Sequence, residues 1–246
     1  MSSFLEIKAL RYGWPGMAPA LREAEFHLER GQRLCVCGCN GGGKSTLLQL
    51  LSGILSPCSG EIRMNGIRMD ADPLRMRTAL LMQDADMQII GATAGEDLLL
   101  NWPEPDHARI TAVRALASRF DLLDCWERPV HALSYGQKRK LCLCSALLAG
   151  PDVLLLDEPC SGLDYPALLR LRALLRDTRE LTQIITTHDL EPIVDLADAV
   201  LILHRGAQVF FGTPEDALHA LEHHPEWGVR LPCRWRHERR ITDWET

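Results

Sequence analysis

The chain has 246 residues, 46 % of them hydrophobic and 24 % charged, an ordinary globular composition with enough chain for one large domain or two small ones. Its formal net charge of −6 argues against nucleic-acid binding through a broad basic face. No run approaches about 18 consecutive apolar residues, and Met1–Ile7 lacks a basic segment followed by an apolar one, so neither a membrane span nor a signal peptide is expected, and a cytosolic protein is.

Phe4–Leu10 alternates like a strand and is closed by Arg11-Tyr12-Gly13 and a Gly/Pro-rich loop to Pro19. Tyr12 is suited to stacking on a purine ring and equally to serving as a strand-end aromatic. Glu23–Leu28 alternates again, predicting a second strand with one buried and one wet face. Two antiparallel-type strands here exceed what a minimal βαβ unit needs. An apolar run of strand type, Leu34-Cys35-Val36-Cys37, then leads into Gly38-Cys39-Asn40-Gly41-Gly42-Gly43-Lys44-Ser45-Thr46, and Leu47–Leu51 reads as a helix. The nine residues fit the phosphate-loop pattern G-x-x-x-x-G-K-[ST] in the strand–loop–helix context that the pattern requires. Glycines let backbone N–H groups turn inward around a polyphosphate, and the helix points its positive end at it. Lys44 supplies a charge for the outer phosphates and the Ser45 hydroxyl a ligand for Mg²⁺. The chain is therefore expected to bind a nucleoside triphosphate.

Nine cysteines invite a metal or redox reading, but Cys35-Val36-Cys37-Gly38-Cys39 lacks the spacing of zinc pairs. Strand alternation puts Cys35 and Cys37 on one face. Cys142 and Cys144 fall in the apolar helix Leu141–Leu148, where cysteine serves as a small hydrophobe. Cys39 differs, because a helix N-terminus and Lys44 both favour its thiolate.

Glu61–Gly66 reads as strand and turn, and Thr78–Gln83 as a buried strand ending in a polar residue. Residues 84–150 turn mostly helical, with breaks at Trp102–Pro105 and Arg128-Pro129 and core patterning at Ile110, Val113, Leu116 and Phe120. Strand character returns at Val153–Glu158, an apolar run ending in two acids. In a parallel sheet such a strand is buried on both faces and its carboxyl end opens on the ligand crevice. Asp157 is then placed to hold Mg²⁺ and Glu158 to polarise an attacking water. Pro166 opens a helix, Gln183–Thr187 makes another buried strand, and His188 stands at its carboxyl end, on the same edge as the acids. Ala199–Leu203 and Gln208–Phe211 complete the strands, and Thr213-Pro214-Glu215 starts a last helix with Thr213 as N-cap. Alternating βα units with strand-end acids specify an α/β fold, a P-loop NTPase core with a largely parallel sheet, an N-terminal antiparallel β subdomain and an inserted α-helical subdomain at about 84–150. No internal repeat is evident, so one ATPase unit is expected, with its domain at about residues 1–220.

A second motif, Leu133-Ser134-Tyr135-Gly136-Gln137-Lys138-Arg139, resembles the signature sequence of ATP-binding-cassette (ABC) ATPases, and the resemblance runs from roughly residue 4 to 217. It implies ATP and Mg²⁺ as ligands. By it Tyr12 resembles the adenine-stacking aromatic, Gln83 the Q-loop glutamine that serves catalysis and metal, Glu158 the catalytic base, Ser161-Gly162-Leu163-Asp164 the D-loop and His188 the switch histidine. In that family two cassettes pack head to tail. Ser134, the amides near Gly136 and Gln137 of one would then close over the ATP of the other, and Asp164 is expected to bind the nucleotide as well. Tyr135 departs from the usual glycine pair, and Cys160 stands where threonine is common; activity is expected despite both.

Met82-Gln83-Asp84-Ala85-Asp86-Met87-Gln88, followed by Thr93 and Glu96-Asp97, is similar to the extended Q-loop of energy-coupling-factor transporter ATPases, with a second glutamine five residues after the first. Those importers take up vitamins or transition-metal ions. The resemblance implies a peripheral ATPase on the cytoplasmic face of a membrane. Its partners would be a second ABC subunit and integral membrane subunits docking near residues 83–102, with no nucleic acid. A generic importer or exporter cassette, and a soluble cassette ATPase such as one in iron–sulfur assembly, are the alternatives. Beyond Leu221, Trp227, Trp235 and Trp244 crowd together with Arg230, Arg234, Arg236, Arg239 and Arg240. Such a tail suits anionic headgroups or a membrane partner, or packing on its own domain.

Overall fold

The computed structural model describes residues 3–233 and residue 235. Strand β1 (Leu5–Tyr12) pairs antiparallel with β2 (Leu21–Leu28), Leu5 opposite Leu28 and Tyr12 opposite Leu21. β3 (Arg33–Cys37) is buried at all five positions and runs through the glycine-rich loop into α1 (Lys44–Leu51). β4 (Ser59–Met64) returns antiparallel beside β1 and turns at Asn65-Gly66 into the short β5 (Ile67–Arg68). Helix α2 (Ala71–Arg77) and β6 (Thr78–Leu81) follow. The sequence reading has no helix at 71–77. Leu74 is the only buried residue of that helix, so it carries no apolar period to read.

The chain divides into two compact units, Met1–Leu80 with Asp152–Thr246, and Leu81–Pro151. The second unit is helical: α3 (Ala94–Leu99), α4 (His107–Arg119) and α5 (Tyr135–Leu148). Each has a side-chain N-cap, Thr93, Asp106 and Ser134 respectively, accepting an amide of the first turn. Val113, Ala117 and Phe120 are buried, with Ile110 and Leu116 half-buried, which matches the helical spacing. Trp126 sits against α3, where a Cβ at Gly95 would lie 2.3 Å from its Nε1, so glycine is required there by close approach.

Back in the first unit, β7 (Val153–Asp157), α6 (Tyr165–Asp177), β8 (Thr182–Thr187), β9 (Ala199–His204), β10 (Ala207–Gly212) and α7 (Pro214–His223) complete the elements. The sheet order is β5-β4-β1-β2-β10-β9-β3-β8-β7-β6. β9, β3, β8 and β7 are mutually parallel, while β5, β4, β1 and β2 form the antiparallel flank. The fold is thus mixed α/β with a parallel centre, as expected. Apolar side chains of both parts, from Leu5, Ile7 and Phe26 to Val36, Leu155, Ile184 and Leu201, join Leu47, Leu48 and Leu51 of α1 in one core. Thr213 caps α7 through the Asp216 amide, with Pro214 in the first turn.

Arg33 and Arg172, buried in this unit, and half-buried Asp152 all have side-chain partners. Arg33 donates to Gln183 Oε1 (3.2 Å) and to the carbonyls of Leu175 (2.8 Å) and Leu196 (3.2 Å). Arg172 forms a buried ion pair with Asp195 at 2.5 Å. Asp152, just before β7, accepts from Arg77 (2.6 Å) and Arg30 (3.1 Å). Burial pushes its carboxyl up, but the hydrogen bonds and charges of Arg77 and Arg30 outweigh that and hold it below its ordinary value. A depressed folded-state value means stability present above the unfolded value of about 3.9 and lost as pH falls through the folded one. Asp152→Asn is expected to cost about 1 kcal/mol at pH 7. Denaturant unfolding at pH 7 and at about pH 3 checks this through the linkage, and a mutant–wild-type gap that does not narrow in acid would contradict it.

Two tryptophans of the C-terminal segment are described. Trp235 is buried in its own unit, donating Nε1–H to Glu222 Oε1 at 2.9 Å and meeting His219 edge-on, and Trp227 stacks on His224. Arg230 bridges to Asp189, and the Cys233 amide donates to Glu191, so this stretch lies along the loop after β8. Trp244, Arg234, Arg236, Arg239 and Arg240 lie outside the described residues.

Candidate functional site

The parallel strands end together, which sets the loop after β3 beside the ends of β7 and β8. Two glycines of that loop are dictated by geometry. At Gly38 (φ +152°) a Cβ would lie 2.1 Å from the Leu203 carbonyl oxygen, and at Gly43 (φ +100°) 2.6 Å from that of Ala20. No side chain fits at either position. Asn40 and Gly41 are exposed at the loop's tip, Gly42 is buried, Ser45 is exposed in the first turn of α1 and Thr46 is half-buried.

Lys44 is buried. Its Nζ donates to the carbonyls of Gly38 (2.8 Å) and Cys39 (3.2 Å) and lies 3.8 Å from Glu158 Oε1. Glu158, also buried, follows β7 at φ +47°, a left-handed conformation strained for a residue with a side chain. Its Oε2 meets Nδ1 of the exposed His188 at 3.0 Å. The Glu158 carboxylate thus spans the lysine of the phosphate loop and the histidine that follows β8, three residues distant in sequence brought to one sheet edge. Asp157, half-buried, accepts from the Thr186 hydroxyl at 2.6 Å.

A hard divalent cation such as Mg²⁺ takes oxygen ligands, and Asp157 and Ser45 offer a carboxylate and a hydroxyl on the two elements that the Lys44–Glu158 pair ties together. The donor set fits the ion. Tyr12 ends β1 half-buried, its ring edge-on to that of Trp14 at 5.2 Å. Trp14 is 47 % exposed and is not among the residues expected from sequence; the pair of aromatics flanking Gly13 is the signal for it. Asp164 caps α6 by accepting the Ala167 amide at 2.8 Å, a helix-starting role the sequence reading does not include.

The cysteines of β3 are fully buried. Burial pushes the Cys35 thiol well above its ordinary value, and takes Cys37 to about 12 against the opposing pull of Lys44. Burial likewise takes Cys142 and Cys144 to about 12. These four are inert packing. Cys39 is half-buried in the phosphate loop, its Cβ 3.2 Å from where a Cβ on Gly228 would lie.

Gln83, Ser134, Gly136 and Gln137 belong to the second unit. Ser134 starts α5 with a reciprocal capping box: its Oγ accepts the Gln137 amide (3.2 Å), and Gln137 Oε1 accepts the Ser134 amide (2.9 Å). The Ser134 hydroxyl proton remains available to an anion at the helix N-terminus. A Cβ on Gly136 would meet nothing within 4 Å, so this unit itself does not demand a glycine there. Exposed Gln83 opens a loop closed from within: Gln88 Oε1 accepts the Met82 amide (2.7 Å), Asp97 Oδ1 the Ile90 and Gly91 amides (2.9 and 3.0 Å), and Lys138 pairs with Asp86 (2.5 Å). Met87 and Ile90 project from it at 73 % and 80 % exposure.

Residues 21–161 match the ABC transporter family. The chain is 37 % identical to a cobalt import ATP-binding protein, CbiO, of Rhodobacter capsulatus, over 94 % of this chain and 86 % of that one. It is 33 % identical to an energy-coupling factor transporter ATP-binding protein, EcfA, of Methanothermobacter thermautotrophicus, over 93 % of this chain and 76 % of that one. Among solved structures, CbiO1 of Clostridium perfringens, described as part of the ABC transporter complex CbiONQ, superposes with a TM-score of 0.79 at 28 % identity, covering 98 % of this chain and 100 % of that one. A bacterial Atm1-family ABC exporter with ATP bound shares the fold at a TM-score of 0.79 and 23 % identity, over 96 % of this chain and 42 % of that one.

Proposed function

Because the chain belongs to the ABC transporter family as an ATP-binding, ATP-hydrolysing subunit, we propose that it energises import in the energy-coupling-factor manner, for a vitamin or a transition-metal ion. The observation that carries the importer reading is the loop 82–97. Its side chains hold their own backbone, so Gln83, Met87 and Ile90 are presented on a stiff frame rather than on a slack turn. An exposed apolar pair on such a frame suits the cytoplasmic end of an integral membrane partner. No described helix is long and apolar enough to cross a membrane, so the transport path in this reading belongs to partners.

In the chemistry we assign, Lys44 exchanges its carbonyl acceptors for the outer phosphate oxygens of ATP, a charge-assisted contact stronger than the one it leaves. Ser45 and Asp157 would hold Mg²⁺, which would neutralise charge on the phosphates. Glu158 draws a proton from the attacking water, with His188 fixing the carboxylate and facing the terminal phosphate. Tyr12 stacks on the adenine. Ser134, Gly136 and Gln137, with Asp164, complete the site of a second cassette, so ATP closes a dimer and hydrolysis reopens it. The chain then works at the cytoplasmic membrane face.

Co-purification tests the transport role. Tagged wild-type chain is expected to bring down integral membrane proteins, and the pair Met87→Asp, Ile90→Asp to lose them while still binding ATP. Retention by the double variant would place the docking surface elsewhere, and a stable complex with soluble proteins alone would overturn the transport reading.

A further inference from the structure

β8 is buried throughout yet carries four polar residues, Thr182, Gln183, Thr186 and Thr187. Three serve the scaffold. Thr182 accepts the Gly31 amide (3.0 Å), Gln183 joins Arg33 to the end of α6, and the Thr187 hydroxyl donates to the Asp189 carbonyl (2.6 Å) and accepts its amide (3.0 Å). Thr186 reaches sideways instead. It stands opposite Asp157 in the parallel register of β7 and β8. Its hydroxyl donates to Asp157 Oδ1 at 2.6 Å and accepts the Glu158 N–H at 3.0 Å.

One hydroxyl therefore uses its donor on the first acid and an acceptor lone pair on the backbone of the second. Valine would fill nearly the same space, so packing does not ask for the oxygen. The Glu158 backbone does need an anchor, because at φ +47° it sits in a conformation its own preferences disfavour. The Asp157 carboxylate needs one as well, since a metal-holding carboxylate free to rotate presents the wrong oxygen.

We propose that Thr186 is a positioning residue, whose buried hydroxyl orients the metal-holding Asp157 and pins the catalytic Glu158 in one step. It rests on the roles given above to Asp157 and Glu158. The coupling is geometric: the same hydrogen-bonded oxygen sets the rotation of one carboxylate and the backbone position of the next, so metal and base keep a fixed separation.

The test uses the full chain as Thr186→Val and Thr186→Ser, with Glu158→Gln alongside. Thr186→Val is expected to lower kcat by about 10- to 100-fold with KM for ATP nearly unchanged. It is also expected to weaken Mn²⁺ binding to the ADP-loaded chain, read by electron paramagnetic resonance, by about tenfold or more. Thr186→Ser, which keeps the hydroxyl, restores both. If Thr186→Val does not fold, Thr186→Ala is the second hydroxyl-free variant for the same measurements. A hydroxyl-free variant with wild-type kcat and wild-type Mn²⁺ affinity, whatever its melting temperature, overturns the proposal. So does a serine variant as impaired as valine. Glu158→Gln separates the two levels: if it turns over at the wild-type rate, the assignment of the base fails, whereas an inactive Glu158→Gln beside an unaffected Thr186→Val sinks only the role of Thr186.

Discussion

Glu158→Gln is expected to lower ATP turnover by about 10²–10⁴, the usual share of general acid–base catalysis, with ATP binding preserved. The amide keeps the size of the side chain and its hydrogen-bonding reach to His188 Nδ1, which the carboxylate now contacts at 3.0 Å. What it loses is the proton affinity that makes an attacking water nucleophilic. A second consequence separates base from scaffold. If ATP closes a dimer and hydrolysis opens it, the variant should accumulate an ATP-bound dimer in size-exclusion chromatography, while the wild type passes through that state. Specific activity of the wild type should then rise with protein concentration in the dilute range. Hydrolysis by Glu158→Gln at the wild-type rate would show the base to be misassigned, and concentration-independent specific activity would remove the need for a second cassette.

Lys44→Ala is expected to weaken ATP binding by about 10- to 100-fold, the loss of a charge-assisted contact to phosphate. Two effects add here. In the chemistry proposed the ammonium is the point charge for the outer phosphates, and before ATP arrives it draws the Gly38 and Cys39 carbonyls inward, so its removal also frees the loop. It further removes an ammonium 3.8 Å from the buried Glu158 carboxylate. Binding measured by isothermal titration calorimetry, with a thermal melt to establish folding, checks this. Affinity equal to wild type in a folded variant would contradict the assignment of the loop.

Much of this arrangement is written in short stretches. Gly38–Thr46 is legible because glycine spacing, lysine and hydroxyl act within one turn of backbone, and the structure shows why two of those glycines admit no side chain. Val153–Asp157 is legible because a strand covered on both faces must be apolar throughout. Thr213-Pro214 is legible because a cap is a local hydrogen bond. Helix α2 escaped, since a helix with one buried residue has no stripe. The capping of α6 by Asp164 is a local hydrogen bond too, but in the sequence only the resemblance singles out Asp164.

By itself, then, the sequence determined the glycine-rich loop pattern, the strand-end acids, the Thr213 cap and the alternation of strands and helices, because each depends on neighbours a few residues apart. Tertiary structure alone decided that Lys44, Glu158 and His188 meet, that Trp14 lies edge-on to Tyr12, and that the Thr186 hydroxyl joins Asp157 to Glu158. The contacts of Lys44, Glu158, His188, Thr186 and Asp157 follow from the order β9-β3-β8-β7, which aligns strand ends from remote parts of the chain. Which strand lies beside which is settled by burying all their apolar faces at once, a condition on the whole core that no local window contains.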